Sequence, residues 1–434
     1  MTKLIIKNIG PIKHIDITLN KVNMIIGPQS SGKSTINKIT CYCSWVEKKV
    51  SLDQSFDYFL KEDNFISNLV KFHKLDGYFY PNSEIVYTSP CLTFSFKNKK
   101  VSFEWLDQNG YIRTKISYIP AERNIVSIIT DWEQAKLPEN NIFNFMSDWN
   151  SARKKHTLKN TLSIGPLDTK YYYDENQNLD YLEMSNGKNI QLLNASSGQQ
   201  SMIPLYILIN YFTKEIYNKN EPYESVENKE RDMEIAKMFF FKSFSEITKK
   251  KIDFNDKDTI KKEISQLLTI KEIKGKKDMP KKAKDFLTKV TDYLAHYIGT
   301  NYTSLFIEEP ELNLFPSTQR DLLYFIINSI NDKDHKLVLT THSPYILYAL
   351  NNCMMGWLVK DNMPESISRS LKSHNSWIDP KLVSAWQIKD GELISIQEQE
   401  TNSIGKHYFN EAMNETMDEY YIMLNYLKFG KDEK

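Results

Sequence analysis

The chain contains the stretch Gly27-Pro28-Gln29-Ser30-Ser31-Gly32-Lys33-Ser34, which is followed by Thr35. An apolar run at residues 23–26 precedes the stretch and predicts a short buried strand, and residues 34–39 predict the start of a helix. Strand, glycine-rich loop and helix in this order are the context in which such a stretch binds a polyphosphate. The stretch therefore predicts an α/β fold with a phosphate-binding loop.

The residue types in this loop suit a nucleoside triphosphate with Mg²⁺. Glycines let backbone N–H groups turn toward phosphate oxygens because no Cβ stands in the way, and the helix start adds partial positive charge. We expect Lys33 to reach the β- and γ-phosphates and the Ser34 hydroxyl to bind Mg²⁺. The residues predicted to bind the nucleotide in this loop are Gly27, Pro28, Gln29, Ser30, Ser31, Gly32, Lys33, Ser34 and Thr35.

Two acids follow a second apolar run. Residues 304–307 predict a buried parallel strand, and Glu308 and Glu309 come directly after it, at the end of the strand where α/β sheets place their ligands. Because adjacent residues at a strand end point in different directions, one carboxylate can face a metal ion and the other an attacking water. A third apolar run ends at His342, and a helix predicted over residues 317–330 would connect these two strands in parallel.

A small polar turn lies between these regions. Ser196, Ser197, Gly198 and Gln199 precede an apolar helix predicted over residues 202–217. Small residues at a helix start can form an anion site, although a plain capped turn explains the segment equally well when it is taken alone.

The order of these four motifs resembles the heads of ATP-binding cassette (ABC) ATPases. The segment Glu308-Glu309-Pro310-Glu311-Leu312-Asn313-Leu314-Phe315-Pro316 resembles one branch, which includes the SMC, RecF and overcoming-lysogenisation-defect ATPases. The resemblance implies an α/β head, with a mixed or parallel phosphate-loop sheet, flanking helices and an antiparallel β lobe. ATP and Mg²⁺ are the implied cofactors.

The resemblance also implies roles for single residues. Glu308 would bind the metal ion, Glu309 would be the general base, and His342 and Lys33 would stabilise charge on the γ-phosphate. The turn of Ser196, Ser197, Gly198 and Gln199 would be the signature that binds the γ-phosphate held by a second head, so the implied assembly is a homodimer or a higher oligomer. Glu308 departs from the more common Asp, Phe315 from a frequent His, and Ala195 and Ser197 from Leu and Gly in the signature.

Composition sets few limits on partners. The chain has 434 residues, 41% of them apolar, and a formal net charge of +1, so nothing global indicates a nucleic-acid or membrane partner. The four cysteines lack metal-ligand spacing and are expected to be free thiols of a cytoplasmic protein. No signal peptide and no apolar run long enough to span a membrane is recognised in the sequence.

We expect three regions: a first part of the head at residues 1–217, an inserted helical subdomain at 218–300, and a second part of the head at 301–434. The first part is expected to contain an antiparallel meander over residues 84–119. Arg123 is interpreted as a member of a structural ion pair, and a phosphate ligand is the alternative. The insert carries twice as many Lys as acidic residues between Lys249 and Lys289, with helix breaks expected at residues 253–255 and Gly275. This excess fits a solvated helical face, and it could also bind nucleic acid or an acidic protein.

The branch motif, the short insert and the tail suggest a role. They resemble the ATPases of PARIS-type or Septu-type antiphage defence systems, in which a sensor and switch subunit works with a separate effector, a nuclease or a toxin. No Asp-x-Asp cluster follows His342, so no built-in nuclease is expected. The alternative is a DNA-repair or chromosome-maintenance ATPase that binds DNA directly; a transporter subunit and a non-hydrolysing scaffold are weaker alternatives.

Overall fold

The computed structural model describes residues 1–129, 138–218, 226–249, 271–273, 276–278 and 281–427. The strands are β1 Thr2–Ile9, β2 Ile12–Leu19, β3 Val22–Ile26, β4 Phe79–Thr88, β5 Leu92–Lys97, β6 Lys100–Trp105, β7 Thr114–Ile119, β8 Leu162–Ile164, β9 Thr169–Asp174, β10 Leu179–Met184, β11 Asn189–Gln191, β12 Lys271–Ile273, β13 Lys276–Asp278, β14 Tyr302–Glu308, β15 Lys336–Thr341, β16 Val383–Lys389 and β17 Glu392–Ser395. The helices are α1 Lys33–Asp53, α2 Asp57–Leu60, α3 Asn64–His73, α4 Ile125–Ile128, α5 Asn141–Arg153, α6 Ser197–Thr213, α7 Val226–Thr248, α8 Lys281–Tyr297, α9 Pro316–Asn331, α10 Pro344–Val359, α11 Glu365–Ser370 and α12 Tyr408–Leu424.

One mixed sheet of eleven strands organises the molecule, in the order β6-β5-β4-β1-β2-β17-β16-β3-β15-β14-β7. The five strands from β16 to β7 run parallel to one another, while β1, β2, β4, β5 and β6 pair antiparallel with one another and form the lobe. β17 joins the two parts, since it pairs antiparallel with β16 and parallel with β2. A second, antiparallel sheet has the order β11-β10-β9-β8. The structure therefore confirms the expected α/β fold with a mixed phosphate-loop sheet and an antiparallel β lobe.

The two faces of the parallel strands bury different helices. The core on one face includes Ile36 and Ile39 of α1, and the core on the opposite face includes Ile203 and Ile207 of α6. The strand between them is buried along its whole length, since every residue of β3 is inaccessible to solvent. Such burial on both faces explains why the parallel strands are continuous apolar runs in the sequence.

Three expectations about elements need correction. β7 is not part of an antiparallel meander but pairs in parallel with β14, because α1 and α5 cover its two faces. The helix after the small polar turn spans Ser197–Thr213 rather than 202–217, because Ser196 caps it in a reciprocal arrangement with Gln199. The insert is not wholly helical, because β12 and β13 pair in its described part.

The described part of the insert stands on the head through one pair of helices. The ring of Phe239 in α7 lies 4.6 Å from the ring of Tyr293 in α8. Phe244, later in α7, packs against Phe286, earlier in α8, so the two helices run antiparallel. Arg113, just before β7, pairs with Asp232 of α7 and donates a hydrogen bond to the carbonyl of Tyr297. The expected helix breaks at residues 253–255 and Gly275 lie outside the described residues.

All four cysteines are buried and free, as expected for reduced thiols. In the described ranges, no helix combines the length and the apolar character that crossing a lipid bilayer requires.

Candidate active site

The phosphate loop leaves the buried strand β3 and runs into α1. Gly27 and Gly32 have φ angles of 156° and 106°, and Ser30 has a φ of 58° in the left-handed region. A Cβ on Gly32 would lie 3.1 Å from Pro11 and 3.0 Å from Ile12, so glycine also allows a close approach of the β1–β2 turn. The first turn of α1 contains no acidic residue, so its partial positive charge is not cancelled there.

Lys33 lies folded across this loop. Its Nζ atom donates hydrogen bonds to the carbonyl oxygens of Gly27, at 2.8 Å, and Pro28, at 2.7 Å. Burial lowers the pKa of Lys33 to about 8, against the influence of Glu309 and Glu311, which raise it. The ammonium group therefore lies at the start of the loop that is expected to bind a polyphosphate.

Glu308 is the last residue of β14, and its side chain is buried. Its Oε1 atom has no hydrogen-bond partner among the described residues. Burial raises the pKa of Glu308, and the Ser34 hydroxyl is among the neighbours that lower it. A buried, unpaired carboxylate oxygen beside a hydroxyl is a donor set that Mg²⁺ accepts when phosphates and water complete its shell.

This pair would be only part of a metal shell. In the described part of the chain, no group of three or more His, Cys, Asp and Glu side chains is arranged to hold a metal ion. Mg²⁺ binds with one or two protein ligands when a substrate phosphate supplies others, so Ser34 and Glu308 fit a metal that arrives with the nucleotide.

Glu309 leaves the strand in an unusual backbone conformation. Its φ is 43°, in the left-handed region that is rare for residues other than glycine, and its N–H donates to the carbonyl of Thr340 at 2.8 Å. Its Oε1 lies 3.5 Å from Nε2 of His342. The hydrogen bond from His342 is the main influence that lowers the pKa of Glu309, with Lys33 contributing. The carboxylate is thus ionised and can accept a proton from water.

Glu311 belongs to this site but received no role from the sequence. Its Oε1 accepts a hydrogen bond of 2.6 Å from the backbone N–H of His342, and burial raises the pKa of Glu311. The carboxylate therefore holds the backbone of His342. Its place as the third acid of the Glu308-to-Glu311 segment was visible in the sequence, but its partner was not.

Arg123 corrects a further expectation, because among the described residues its guanidinium forms hydrogen bonds to backbone carbonyls and no ion pair. The side chain is completely buried, and its guanidinium donates to backbone carbonyls of Pro120, Ser201, Glu308 and Glu309. The bonds to Glu308 and Glu309 are 2.8 and 2.7 Å long. Burial lowers the pKa of Arg123 to about 10, so the group remains charged at neutral pH.

The signature turn lies at the start of α6. The Ser196 side chain accepts a hydrogen bond from the N–H of Gln199, and the Gln199 side chain accepts one from the N–H of Ser196. Ser197 is exposed. The α-carbon of Gly198 packs against the loop at residues 310–315, so closely that a Cβ would lie 2.8 Å from the carbonyl oxygen of Asn313. None of the hydrogen bonds of Ser196, Ser197, Gly198 and Gln199 in the described part of the chain reaches the phosphate loop of the same head.

The geometry thus brings Lys33, Glu309 and His342 together in one site, with Glu308 buried at the same strand end beside Ser34. The signature turn belongs to the helix on the opposite face of the sheet from α1. An ionised base next to a histidine and a lysine, at the edge where parallel strands end, suits the transfer of a phosphoryl group to water.

Comparisons with known proteins agree with this chemistry over a limited segment. Residues 293–347 match the family described as AAA ATPase domain, which covers β14, α9, β15 and the start of α10. Among curated proteins, none matches the chain.

Three solved structures that are similar to this chain have low sequence identity to it. The SMC head domain from Thermotoga maritima has 8% identity and a TM-score of 0.36, and the match covers 91% of this chain and 98% of that chain. The recombination mediator protein RecF has 12% identity, a TM-score of 0.28 and coverages of 91% and 97%. A nucleotide-free ATP-binding cassette from an ABC transporter has 12% identity, a TM-score of 0.25 and coverages of 99% and 100%.

Proposed function

We propose that this chain is a Mg²⁺-dependent ATPase of the ABC type, with Glu309 as the general base. The observation that carries the proposal is the contact between Glu309 and His342, 3.5 Å apart, at the strand end that also carries Glu308 and faces Lys33. The local match of residues 293–347 to an ATPase domain family supports it.

Each residue has one task in the proposed reaction. Glu309 orients the attacking water and accepts its proton, which is the role of a base that is ionised at neutral pH. Lys33 and His342 donate hydrogen bonds to phosphate oxygens as negative charge develops. Ser34 and Glu308 would hold Mg²⁺, which neutralises phosphate charge when it is bound.

A homodimer would complete the site. α1 and α6 pack on opposite faces of the sheet, and the signature turn has no hydrogen bond to the phosphate loop of its own head. A second copy can present its exposed Ser197 and the N-terminus of its α6 to the γ-phosphate. Two ATP molecules would then lie between two heads, and hydrolysis would release them.

The decisive experiment uses Glu309→Gln, which keeps the side-chain shape but removes the base. We expect turnover to fall by at least roughly 100-fold, while ATP converts the variant to a stable dimer in light scattering. Glu175→Gln, on an exposed turn, is the matched control and should behave as the original protein. A Glu309→Gln variant that hydrolyses ATP normally, or never dimerises at saturating ATP, would contradict the proposal.

We further propose that the ATPase is the sensor and switch subunit of an antiphage defence complex with a separate effector protein. The Glu308-to-Glu311 segment, the short insert and the tail without an Asp-x-Asp cluster motivate this role. The insert is the proposed docking region, because α7 and α8 fix its base to the head through Arg113 and Asp232.

The test replaces residues 250–280 with a Gly-Ser linker and leaves α7 and α8 in place. We expect the variant to keep ATP hydrolysis but to lose co-purification with proteins encoded beside its gene. If the variant still co-purified with these proteins and its ATPase rate were unchanged, the insert would not be the docking region for the effector. A nuclease or toxin among the neighbouring genes is the expected effector.

Direct DNA binding, as in a repair or chromosome-maintenance ATPase, is the second candidate, favoured by the lysine excess between Lys249 and Lys289. It predicts ATP-dependent binding of duplex DNA whose affinity falls steeply with salt concentration. The same linker variant should then lose DNA binding. An affinity that does not change with salt would exclude this candidate.

A further inference from the structure

The backbone on both sides of the proposed base is held by one guanidinium. The carbonyl of Glu308 accepts a hydrogen bond from Nη1 of Arg123 and the carbonyl of Glu309 accepts one from Nη2, while the N–H of Glu309 donates to Thr340. The N–H and the carbonyl of Glu309 therefore both have partners, and the next residue, Pro310, has no N–H that needs one. These bonds stabilise a residue whose left-handed φ of 43° would otherwise be strained.

The same guanidinium also holds α6, the helix that begins at the signature turn and is called the signature helix below. Its Nε donates to the carbonyl of Ser201 at 3.0 Å, one turn after the cap of α6. Next to it, the Ser127 hydroxyl donates to the carbonyl of Gln200 at 3.1 Å. This carbonyl is free for Ser127 because the residue four positions later is Pro204, which has no N–H.

The loop that follows Glu309, at residues 310–315, also contacts this first part of α6. The Asn313 side chain donates to the Ser201 hydroxyl at 3.0 Å, and its carbonyl packs against Gly198. The start of α6 and the Glu309 segment are therefore joined both by Arg123 and by this packing. A displacement of the helix start would pull on the carbonyls that set the direction of the Glu309 side chain.

We infer that Arg123 is a positioning residue, which holds Glu309 in its left-handed conformation and links it to the signature helix of the same head. The inference rests on the proposed ATPase function and deepens it. When the signature of one head contacts the nucleotide bound to its partner, Arg123 of that head holds its own Glu309 in the orientation that activates water. Among the described residues, the hydrogen bonds of Arg123 go only to backbone carbonyls, so we expect it to act through Glu309.

The test compares Arg123→Lys with Arg153→Lys. Arg153 is the matched control because it is also buried, pairs with Asp180 and lies in a different part of the fold. A lysine ammonium group cannot form all the hydrogen bonds that the guanidinium makes to three separate chain segments. We therefore expect kcat of Arg123→Lys to fall roughly 10- to 100-fold. Its KM for ATP and its nucleotide-dependent dimerisation should stay within about threefold of the original values, and Arg153→Lys should change thermal stability but not kcat.

A second measurement guards against loss of folding. In Arg123→Ala, guanidinium at low millimolar concentration should restore part of kcat, and methylammonium should not. Two results overturn the inference while leaving the ATPase proposal intact: normal kcat in Arg123→Lys, or equal falls in kcat in the Arg123 and Arg153 variants. An original protein that does not hydrolyse ATP at all would overturn the proposed function and this inference together.

Discussion

Single side chains in this site act largely by holding backbone groups. Arg123 binds four carbonyls, and Glu311 binds the N–H of His342. The proposed base Glu309 and the neighbouring His342 are therefore oriented by residues that need not touch the proposed substrate. Buried polar groups in such networks are costly to remove, because each loss leaves another group without a partner.

Glu311 gives the first prediction. In Glu311→Ala the N–H of His342 loses its 2.6 Å acceptor, so we expect kcat for ATP to fall roughly 10- to 100-fold as His342 drifts. Glu311→Gln keeps an acceptor oxygen and should lose less than about fivefold. Steady-state ATPase assays with a thermal melt of each variant make the comparison. An alanine variant as active as the original protein would show that this bond does not position His342.

Gly198 gives the second prediction. In Gly198→Ala the new Cβ would lie 2.8 Å from the backbone oxygen of Asn313, and neither segment can move without disturbing the site. We expect a loss of about 1–3 kcal/mol in the free energy of unfolding. Gly165→Ala is the control, since no atom lies within 4 Å of its added Cβ. Equal denaturation midpoints for the two variants would argue against close packing here.

At the scale of elements, the polar junctions between strands and helices determine where the site lies. β14 and β15 end side by side, so Glu308 lies opposite Thr340 in the parallel ladder. His342 is the first residue after β15. At the other end of the same strands, His335 joins β14 to α6. The N–H of Thr303 donates to its Nδ1 at 3.0 Å, and its Nε2 lies 3.2 Å from the carbonyl of Thr213.

This junction predicts a pH dependence of stability. Burial lowers the pKa of His335 to about 4, whereas an unfolded histidine titrates near about 6.5. The unfolded chain therefore binds a proton first, and the free energy of unfolding should fall by up to about 3 kcal/mol as pH drops from about 6.5 to about 4.

The control is His335→Gln, whose amide can both accept and donate but does not titrate. Other buried histidines, such as His73, contribute equally to both proteins, so the difference between their urea denaturation curves isolates His335. Parallel losses of stability over this pH range would show that His335 is not responsible.

At the scale of the whole molecule, α1 and α6 lie on opposite faces of the sheet, so the proposed scheme requires a second copy of the chain to complete each active site. One head offers a phosphate loop and a signature that do not meet within it. A complete site in the proposed scheme therefore combines elements from two copies, as in closed two-fold assemblies.

Mixing two inactive variants tests this scheme. Lys33→Ala removes the phosphate-loop cation, and Ser197→Glu places a negative charge at the first residue of α6, where it suits the helix but repels a phosphate. Each variant alone should be inactive, while an equal mixture should recover roughly a quarter of the original activity, because half of the dimers contain one intact site of two. Colorimetric phosphate release measures the recovery. A mixture no more active than its components would rule out composite sites.

Much of the candidate site was readable because its signals are local. The predicted site residues each lie next to an apolar strand or a helix start, and ligands of α/β sheets bind where the strands end. These residues are Lys33, Ser34, Glu308, Glu309 and His342. The roles of Arg123 and Glu311 could not be predicted, because they bind backbone groups. Arg123 reaches carbonyls that are 78 and 185 residues away in the chain, and a carbonyl has no residue identity to recognise.

The sequence by itself determined the α/β class, the phosphate loop and the strand ends that carry the acids and the histidine, since hydrophobic runs and turn residues encode them locally. Only the tertiary structure decided that β7 joins the parallel strands, that Glu309 takes a left-handed backbone, and that Arg123 ties it to α6. These features depend on which faces are covered and which distant carbonyls become buried together. Buried carbonyls need hydrogen-bond donors, and the guanidinium of Arg123 supplies one to each of these carbonyls.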